Sequence, residues 1–411
     1  MKILYVSSIP SNKQFDYMKS MLKKNVNMSK YGMQESGSKF HHLILDGIKE
    51  NNVEIYSLIG RPVSFKIYKK FWWKREVDKE NGIVYDHLSF VNIPIIKNII
   101  LCFNFFKSAL SWLRKNKKEE KCIILDAAYV TVIPFINMAT KIIKCKKIAI
   151  VCDIYEYMAD VKDARNHSRK IHKVIAKFMK KRYSQIDGYV FLTEAMNNVL
   201  NKLNKPYIVM EGLVDHNMKE SYNELENKTD KKVVMYAGAL REQYGLKNLM
   251  IAFNDYKNDD AELWVYGAGD YSPKVQEFAQ IDSRIKFWGL ASNLEIVKKE
   301  TEANLLINPR PANQEFTKYS FPSKNMEYMV SGTPILTTRL PGMPEEYYDY
   351  IYTIEGNEAT DLKLALENTL SNSKEELHDK GEKAKRFVLE NKNNLIQSSR
   401  ILELCKEVNK C

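Results

Sequence analysis

The chain has no Cys-x-x-Cys pair: its six cysteines, Cys102, Cys122, Cys145, Cys152, Cys405 and Cys411, are scattered without even spacing. That scatter speaks against a zinc site and against a disulfide framework, and suits a reducing cytosol. Internal repeats, low-complexity tracts and nucleic-acid-binding motifs are missing too. The opening run Met1–Pro10 holds one lysine and too few apolar residues for the core of a secretory signal, and reads instead as a first buried strand. The one long apolar stretch, Ile93–Leu113, is interrupted by Lys97, Asn98, Asn104 and Lys107. Such groups are expensive in lipid, so a helix with a broad apolar face that does not cross a membrane is expected there.

Acidic charge is scarce in the first half. Residues 1–200 carry 35 Lys and Arg against 18 Asp and Glu, and residues 201–411 carry 28 against 33, so a net +17 stands beside a net −5. A basic half suits anionic lipid, a phosphorylated substrate or nucleic acid, and the count alone does not choose among them. Within it, Lys66–Arg75 interleaves cations with aromatic rings, among them Lys70, Trp72, Trp73, Lys74 and Arg75. Tryptophan and lysine together suit a lipid headgroup layer, so this run is expected to form a patch on an anionic membrane surface. With no accompanying motif, no nucleic-acid partner is expected.

What the chain does have is length and rhythm. Its 411 residues, 45% hydrophobic and 28% charged, suffice for two globular domains with separate cores. Short β-branched apolar runs recur between helical patterns, which marks parallel sheets covered by helices. Strands are expected at Lys2–Ser8, Val53–Leu58, Cys122–Ala127, Lys147–Asp153, Gly188–Thr193 and Tyr207–Glu211. A second set falls at Lys232–Ala237, Glu262–Tyr266, Ile285–Trp288, Ala303–Asn308, Pro334–Thr338 and Ile351–Ile354. The expected class is α/β, two doubly wound Rossmann-like domains facing a central cleft, with ligand sites beyond the carboxyl ends of the strands. Asn204-Lys205-Pro206 interrupts the pattern, which places the first domain at 1–205 and the second at 206–390. A last helix over 391–411 is expected to pack back on the first domain.

The most informative stretch runs from Asn308-Pro309-Arg310-Pro311 through Tyr319-Ser320-Phe321-Pro322-Ser323-Lys324 to Glu327 and Ser331-Gly332-Thr333-Pro334. Pro322 presets the backbone for a helix start and Gly332 is a natural stop. Free N–H groups at Ser323 and Lys324 make an anion site, and the lysine adds a mobile charge. Glu327, one turn further in, is placed to accept two ribose hydroxyls. Singly, a glutamate or serine near a helix start often only complements the dipole or caps the helix. Set together between two strands, they offer partners to a phosphate and a ribose at once.

The run Phe321-Pro322-Ser323-Lys324-x-x-Glu327-Tyr328-Met329-x-Ser331-Gly332-Thr333-Pro334 resembles the donor-binding signature of glycosyltransferase family 4, retaining enzymes of the GT-B fold. Tyr236-Ala237-Gly238-Ala239-Leu240-Arg241 resembles the family's first glycine turn, and Trp264–Gly269, with Gly267, its Gly-x-Gly strand end. Gly37 and Ser38 match the acceptor-side glycine loop in outline. The resemblance implies transfer of a hexosyl-type sugar from a nucleotide sugar, with retention, to a lipid-linked saccharide acceptor used for capsule, exopolysaccharide or another envelope glycan. It also implies that Glu327 binds the ribose, that Ser323 and Lys324 face the diphosphate, and that Arg241 and Arg310 add positive charge as the nucleotide leaves. The expected location is cytoplasmic, peripheral at the inner face of the cell membrane.

Three positions depart from the family pattern. Tyr319 stands where the first of two paired glutamates is usual, so Tyr319, Ser320 or backbone groups must meet the donor sugar. Ala239 replaces the arginine after the first-turn glycine and Tyr244 stands near the usual lysine, which leaves Arg241 as the substitute. No strand-end Asp-x-Asp is present to hold a divalent ion, so a metal-independent reaction without a cofactor is expected. Asp153, ending a strand in the first half, is assigned to the acceptor as base or orienter. Adjacent His41 and His42 point in different directions and are read as surface residues. The rival readings are weaker. A dinucleotide fold lacks its third glycine because position 272 is Ser; an epimerase lacks a paired set of carboxylates; a non-catalytic partner subunit would explain Tyr319.

Overall fold

The structure, a computed structural model, describes residues 1–22, 35–154, 157, 177–220 and 223–410. The chain divides into two units, Met1–Glu211 with Asn394–Cys411, and Gly212–Asn393. The five described cysteines are free thiols, and Cys411 lies outside the described residues.

In the first unit the strands are β1 (Lys2–Ser7), β2 (Glu54–Ile59), β3 (Trp72–Trp73), β4 (Glu76–Glu80), β5 (Ile83–His87), β6 (Phe90–Val91), β7 (Lys121–Asp126), β8 (Lys146–Val151), β9 (Gly188–Phe191) and β10 (Tyr207–Val209). Among the described residues eight of them form a sheet in the order β10-β9-β8-β7-β1-β2-β5-β4. All neighbours are parallel except β4, which runs antiparallel along β5 at the edge. The central strands are continuous apolar runs buried on both faces, as a sheet covered by helices requires. The helix Asn394–Lys410 returns to this unit and packs along the helix Glu35–Glu50, where Ser398 Oγ donates to Ile44 O at 3.1 Å.

The strands of the second unit are β11 (Lys232–Ala237), β12 (Ala261–Tyr266), β13 (Ile285–Gly289), β14 (Leu305–Asn308), β15 (Ile335–Thr338) and β16 (Tyr352–Ile354). They form one parallel sheet ordered β13-β12-β11-β14-β15-β16. This is the doubly wound order, in which the strand order reverses between β11 and β14 and leaves a crevice beyond their carboxyl ends. Apolar clusters fill both faces, one around Leu249, Phe253 and Leu263, the other around Met329, Tyr347 and Val388.

All twelve strands expected from the sequence are present, each within two residues of its expected start. Four further strands, β3 to β6, are added; β3 lies in the aromatic and basic run read as a membrane patch, and β4 to β6 follow it. The β3–β6 ribbon pairs Trp72 with Val91 and Trp73 with Phe90, and strand alternation sends the two tryptophans to opposite faces. Trp73 is 1% exposed and stacked on Phe90, so it belongs to the core. Arg75 forks onto the buried carboxylate of Asp86 at 2.8 and 2.6 Å, so its guanidinium is committed to that ion pair. Of the expected patch, Trp72, Lys74 and Arg75 are exposed and Lys70 is half-buried. Ile96–Lys115 is a helix of the first unit, and no described helix is long and apolar enough to cross a membrane.

Candidate functional site

The helix Ser323–Ser331 begins at Pro322, which offers no side-chain cap, and stops at Gly332. The N–H groups of Ser323 and Lys324 therefore open a helix whose dipole is positive at this end. Tyr328, fully buried, fixes the helix against the end of β11. Its hydroxyl accepts from Ala237 N at 2.9 Å and donates to Ala237 O at 3.1 Å. Asn325 tightens the other side, its Oδ1 accepting from Asn308 Nδ2 at the end of β14 at 2.7 Å. One helix is thus pinned to the two strands that flank the crevice.

That pinning brings the predicted residues together. Lys324 Nζ donates to Tyr236 OH at 3.1 Å and stands 4.3 Å from the Tyr236 ring centroid. The Tyr236 hydroxyl in turn donates to Ala239 O at 2.9 Å, which shapes the turn after β11. Gly238 holds φ +149, and a Cβ there would overlap Lys324 Nζ. Gly267, at φ +129 beyond β12, lies so close to Gly238 that a Cβ would overlap the Gly238 carbonyl oxygen. Both positions need glycine for space and for backbone conformation. Arg310, beyond β14, lies over Phe316 at 4.5 Å and Tyr244 at 5.6 Å.

The electrostatics follow from this packing. Burial pushes the Lys324 ammonium down to about 8; the Glu327 carboxylate opposes that shift, and Arg310 adds to it. Burial raises the Tyr236 phenol well above its ordinary value, so it stays protonated and serves as an acceptor for the lysine. Ser323 and Glu327 are exposed at the open end of the helix, and Tyr319 and Ser320 are half-buried just before it. Ser320 Oγ donates to Phe316 O at 3.2 Å, while Phe321 packs on Tyr347. Arg241 follows on the turn after Gly238 and precedes the short helix Glu242–Tyr244. An array of a helix N-terminus, a lysine of lowered pKa and an arginine suits a diphosphate, with a carboxylate one turn on for hydroxyls.

The remaining predicted residues belong to the first unit. Asp153 lies exposed just beyond β8. Gly37 and Ser38 are not in a loop: they occupy the first turn of the helix Glu35–Glu50, because the buried stripe His41, Ile44, Leu45 and Ile48 has helical spacing and the helix extends back past them. His41 is not a surface residue either. It is 4% exposed, its Nδ1 hydrogen-bonded to Tyr5 OH at 2.5 Å and its Nε2 3.8 Å from Asp126, and burial lowers its pKa. The sequence signal for it was the helical stripe itself. Tyr236, the hydrogen-bond partner of Lys324, gave no signal, because it sits on a strand 88 residues upstream.

Comparison with known proteins agrees with this geometry. Residues 217–387 match the model of one protein family. That family is the glycosyl transferases group 1. The match spans the six strands of the second unit and the crevice between β11 and β14. Among solved structures the chain is similar over its full length to sucrose-phosphate synthase from Thermosynechococcus elongatus, with TM-score 0.68, 11% identity and 100% of both chains covered. It is similar to the catalytic domain of starch synthase IV from Arabidopsis thaliana bound to ADP and acarbose, with TM-score 0.67, 10% identity and 100% of both chains covered. A third likeness is to HepE of Anabaena in complex with UDP, with TM-score 0.62, 11% identity, and 99% of this chain and 100% of that chain covered. At these identities the likeness shows the fold, and the fold is GT-B. No curated protein matches the chain by sequence.

Proposed function

We propose that the chain is a family 4 glycosyltransferase, moving a hexosyl-type sugar from a nucleoside-diphosphate sugar onto a saccharide acceptor with retention of configuration. One observation carries this reading: Lys324 stands at a helix N-terminus beside Gly238 and near Arg310, with Glu327 one turn on, inside the region matched by the glycosyl transferases group 1 model. The glycosyl–phosphate bond breaks as the acceptor hydroxyl oxygen bonds to the anomeric carbon; a diphosphate carrying the broken bond's electron pair departs, and the hydroxyl's proton passes to that diphosphate or to Asp153. Lys324, Arg310, Arg241 and the N–H groups of Ser323 and Lys324 stabilise that charge, so the reaction is proposed to run without a metal or cofactor. Glu327 holds the ribose, and Tyr319, Ser320, Phe321, Pro322, Gly238 and Gly267 shape the donor pocket. Two of the similar structures hold UDP and ADP, which supports a nucleotide as a ligand of this fold.

The acceptor is proposed to be a lipid-linked saccharide used for capsule, exopolysaccharide or another cell-envelope glycan, which places the protein in the cytoplasm at the inner face of the membrane. Asp153 is assigned to the acceptor hydroxyl as base or orienter. The net +17 of residues 1–200 supports an anionic partner for that half of the chain. Purified protein is incubated with a panel of nucleotide sugars, with and without a polyprenyl-diphosphate-linked sugar. Free nucleoside diphosphate is expected only when donor and acceptor are both present. Isomerised donor without acceptor would identify an epimerase, and donor binding without turnover a non-catalytic subunit.

A further inference from the structure

One feature of the first unit's described residues that the proposed reaction does not use is an apolar surface around the start of the helix Ile96–Lys115. The helix Ile96–Lys115 buries one face, yet Ile99 and Phe103 are 65% and 56% exposed on the opposite face, one turn apart. Ile95, just before the helix, is 74% exposed and holds φ +70, ψ −59. A β-branched residue is rarely found at positive φ, and strain of this kind concentrates at functional sites. The ribbon of β3 and β6 adjoins the same helix start. Phe71 O accepts from Asn92 N at 2.7 Å, three residues before Ile95, and Phe71 and Trp72 are themselves exposed.

We infer that this corner, formed by Phe71, Trp72, Ile95, Ile96, Ile99 and Phe103, inserts into the headgroup and upper acyl layer of an anionic lipid bilayer. The inference rests on the proposed lipid-linked acceptor and names the surface that meets its membrane. Charge selects this occupant over a protein groove. Lys107 lies 5.7 Å from the Phe103 ring, Lys69 lies 5.3 Å from the Phe65 ring, and Lys74 is exposed two residues after Trp72. The last turn of the same helix carries exposed Arg114 and Lys115. Apolar side chains flanked by ammonium and guanidinium groups are what an interfacial helix presents to acyl chains and lipid phosphates.

The test is co-sedimentation of the full chain with phosphatidylcholine vesicles that do or do not contain phosphatidylglycerol. Wild type is expected to bind the anionic vesicles and to be released by salt. Ile99→Glu with Phe103→Glu, both exposed, should weaken that binding by at least roughly tenfold while leaving thermal unfolding and UDP affinity unchanged. Lys74→Glu with Lys107→Glu should remove the preference for phosphatidylglycerol. Equal binding by wild type and the Ile99/Phe103 variant would overturn the inference. So would an Ile99/Phe103 variant that changes oligomeric state with unaltered lipid binding, since a second copy would then cover the face. Acceptor-dependent turnover by a wild-type protein that ignores vesicles would sink the docking surface and leave the transferase reading standing. Vesicle binding without donor turnover would do the reverse.

Discussion

Lys324 and Tyr236 form the contact on which the second unit's crevice is organised: the lysine ammonium lies 4.3 Å from the tyrosine ring centroid and donates to its hydroxyl at 3.1 Å. The same hydroxyl donates to Ala239 O, so one phenol positions both the cation and the turn that carries Gly238. Tyr236→Phe keeps the ring and removes both bonds. The expected result is a stability loss of about 1 kcal/mol in denaturant titration, with a several-fold weaker affinity for a nucleoside diphosphate by calorimetry.

Gly238→Ala tests the packing around that lysine. Its φ of +149 disfavours a side chain and the new methyl would meet Lys324 Nζ, so the ammonium must move. Nucleotide affinity is expected to fall at least tenfold, with stability lowered by roughly 1–3 kcal/mol.

Tyr328→Phe tests how the helix is held. The hydroxyl satisfies both the N–H and the carbonyl of Ala237, and its removal leaves those buried groups without this partner. A stability loss of roughly 1–3 kcal/mol is expected in urea unfolding, together with weaker nucleotide binding.

The Lys324 pKa, pushed down to about 8 by burial, sets a pH dependence with a definite sign. Below that value the group is charged and attracts a diphosphate; above it the charge is lost. Nucleotide affinity is therefore expected to fall by up to about tenfold per pH unit above pH 8, and Lys324→Arg should flatten the fall. Stability of the unliganded protein moves oppositely. Lys324 and the buried Lys228, pushed down to about 7, hold folded values below the ordinary 10.5. The unfolded chain binds the extra protons between these limits, so stability rises with pH from about 7 upward.

Much of this was legible in the chain itself, for identifiable reasons. The central parallel strands announced themselves because strands covered on both faces are continuous apolar runs, as Lys232–Ala237 is. The helix Ser323–Ser331 was legible because Pro322 and Gly332 bracket one short segment, which also carries Lys324 and Glu327. What failed was local pattern without partners. Trp72 and Trp73 look alike in sequence, and only pairing with Val91 and Phe90 sends one outward and the other into the core. Glu76–Glu80 is charged and was not among the expected strands, yet it pairs with β5 at the sheet edge. Gly37 and Ser38 suggested a turn, but the amphipathic stripe from His41 onward draws them into a helix. Tyr236 and His41 take their roles from residues far away in sequence, and no spacing rule reaches that distance.

The central claim is that the helix opening at Pro322 binds the nucleotide. Calorimetric titration of UDP and ADP into the wild type, Lys324→Ala and Glu327→Ala measures it directly. At least one nucleotide is expected to bind the wild type, and each variant should lose at least roughly tenfold in affinity while keeping its unfolding transition. Two variants that bind as tightly as the wild type would place the nucleotide elsewhere and contradict the account.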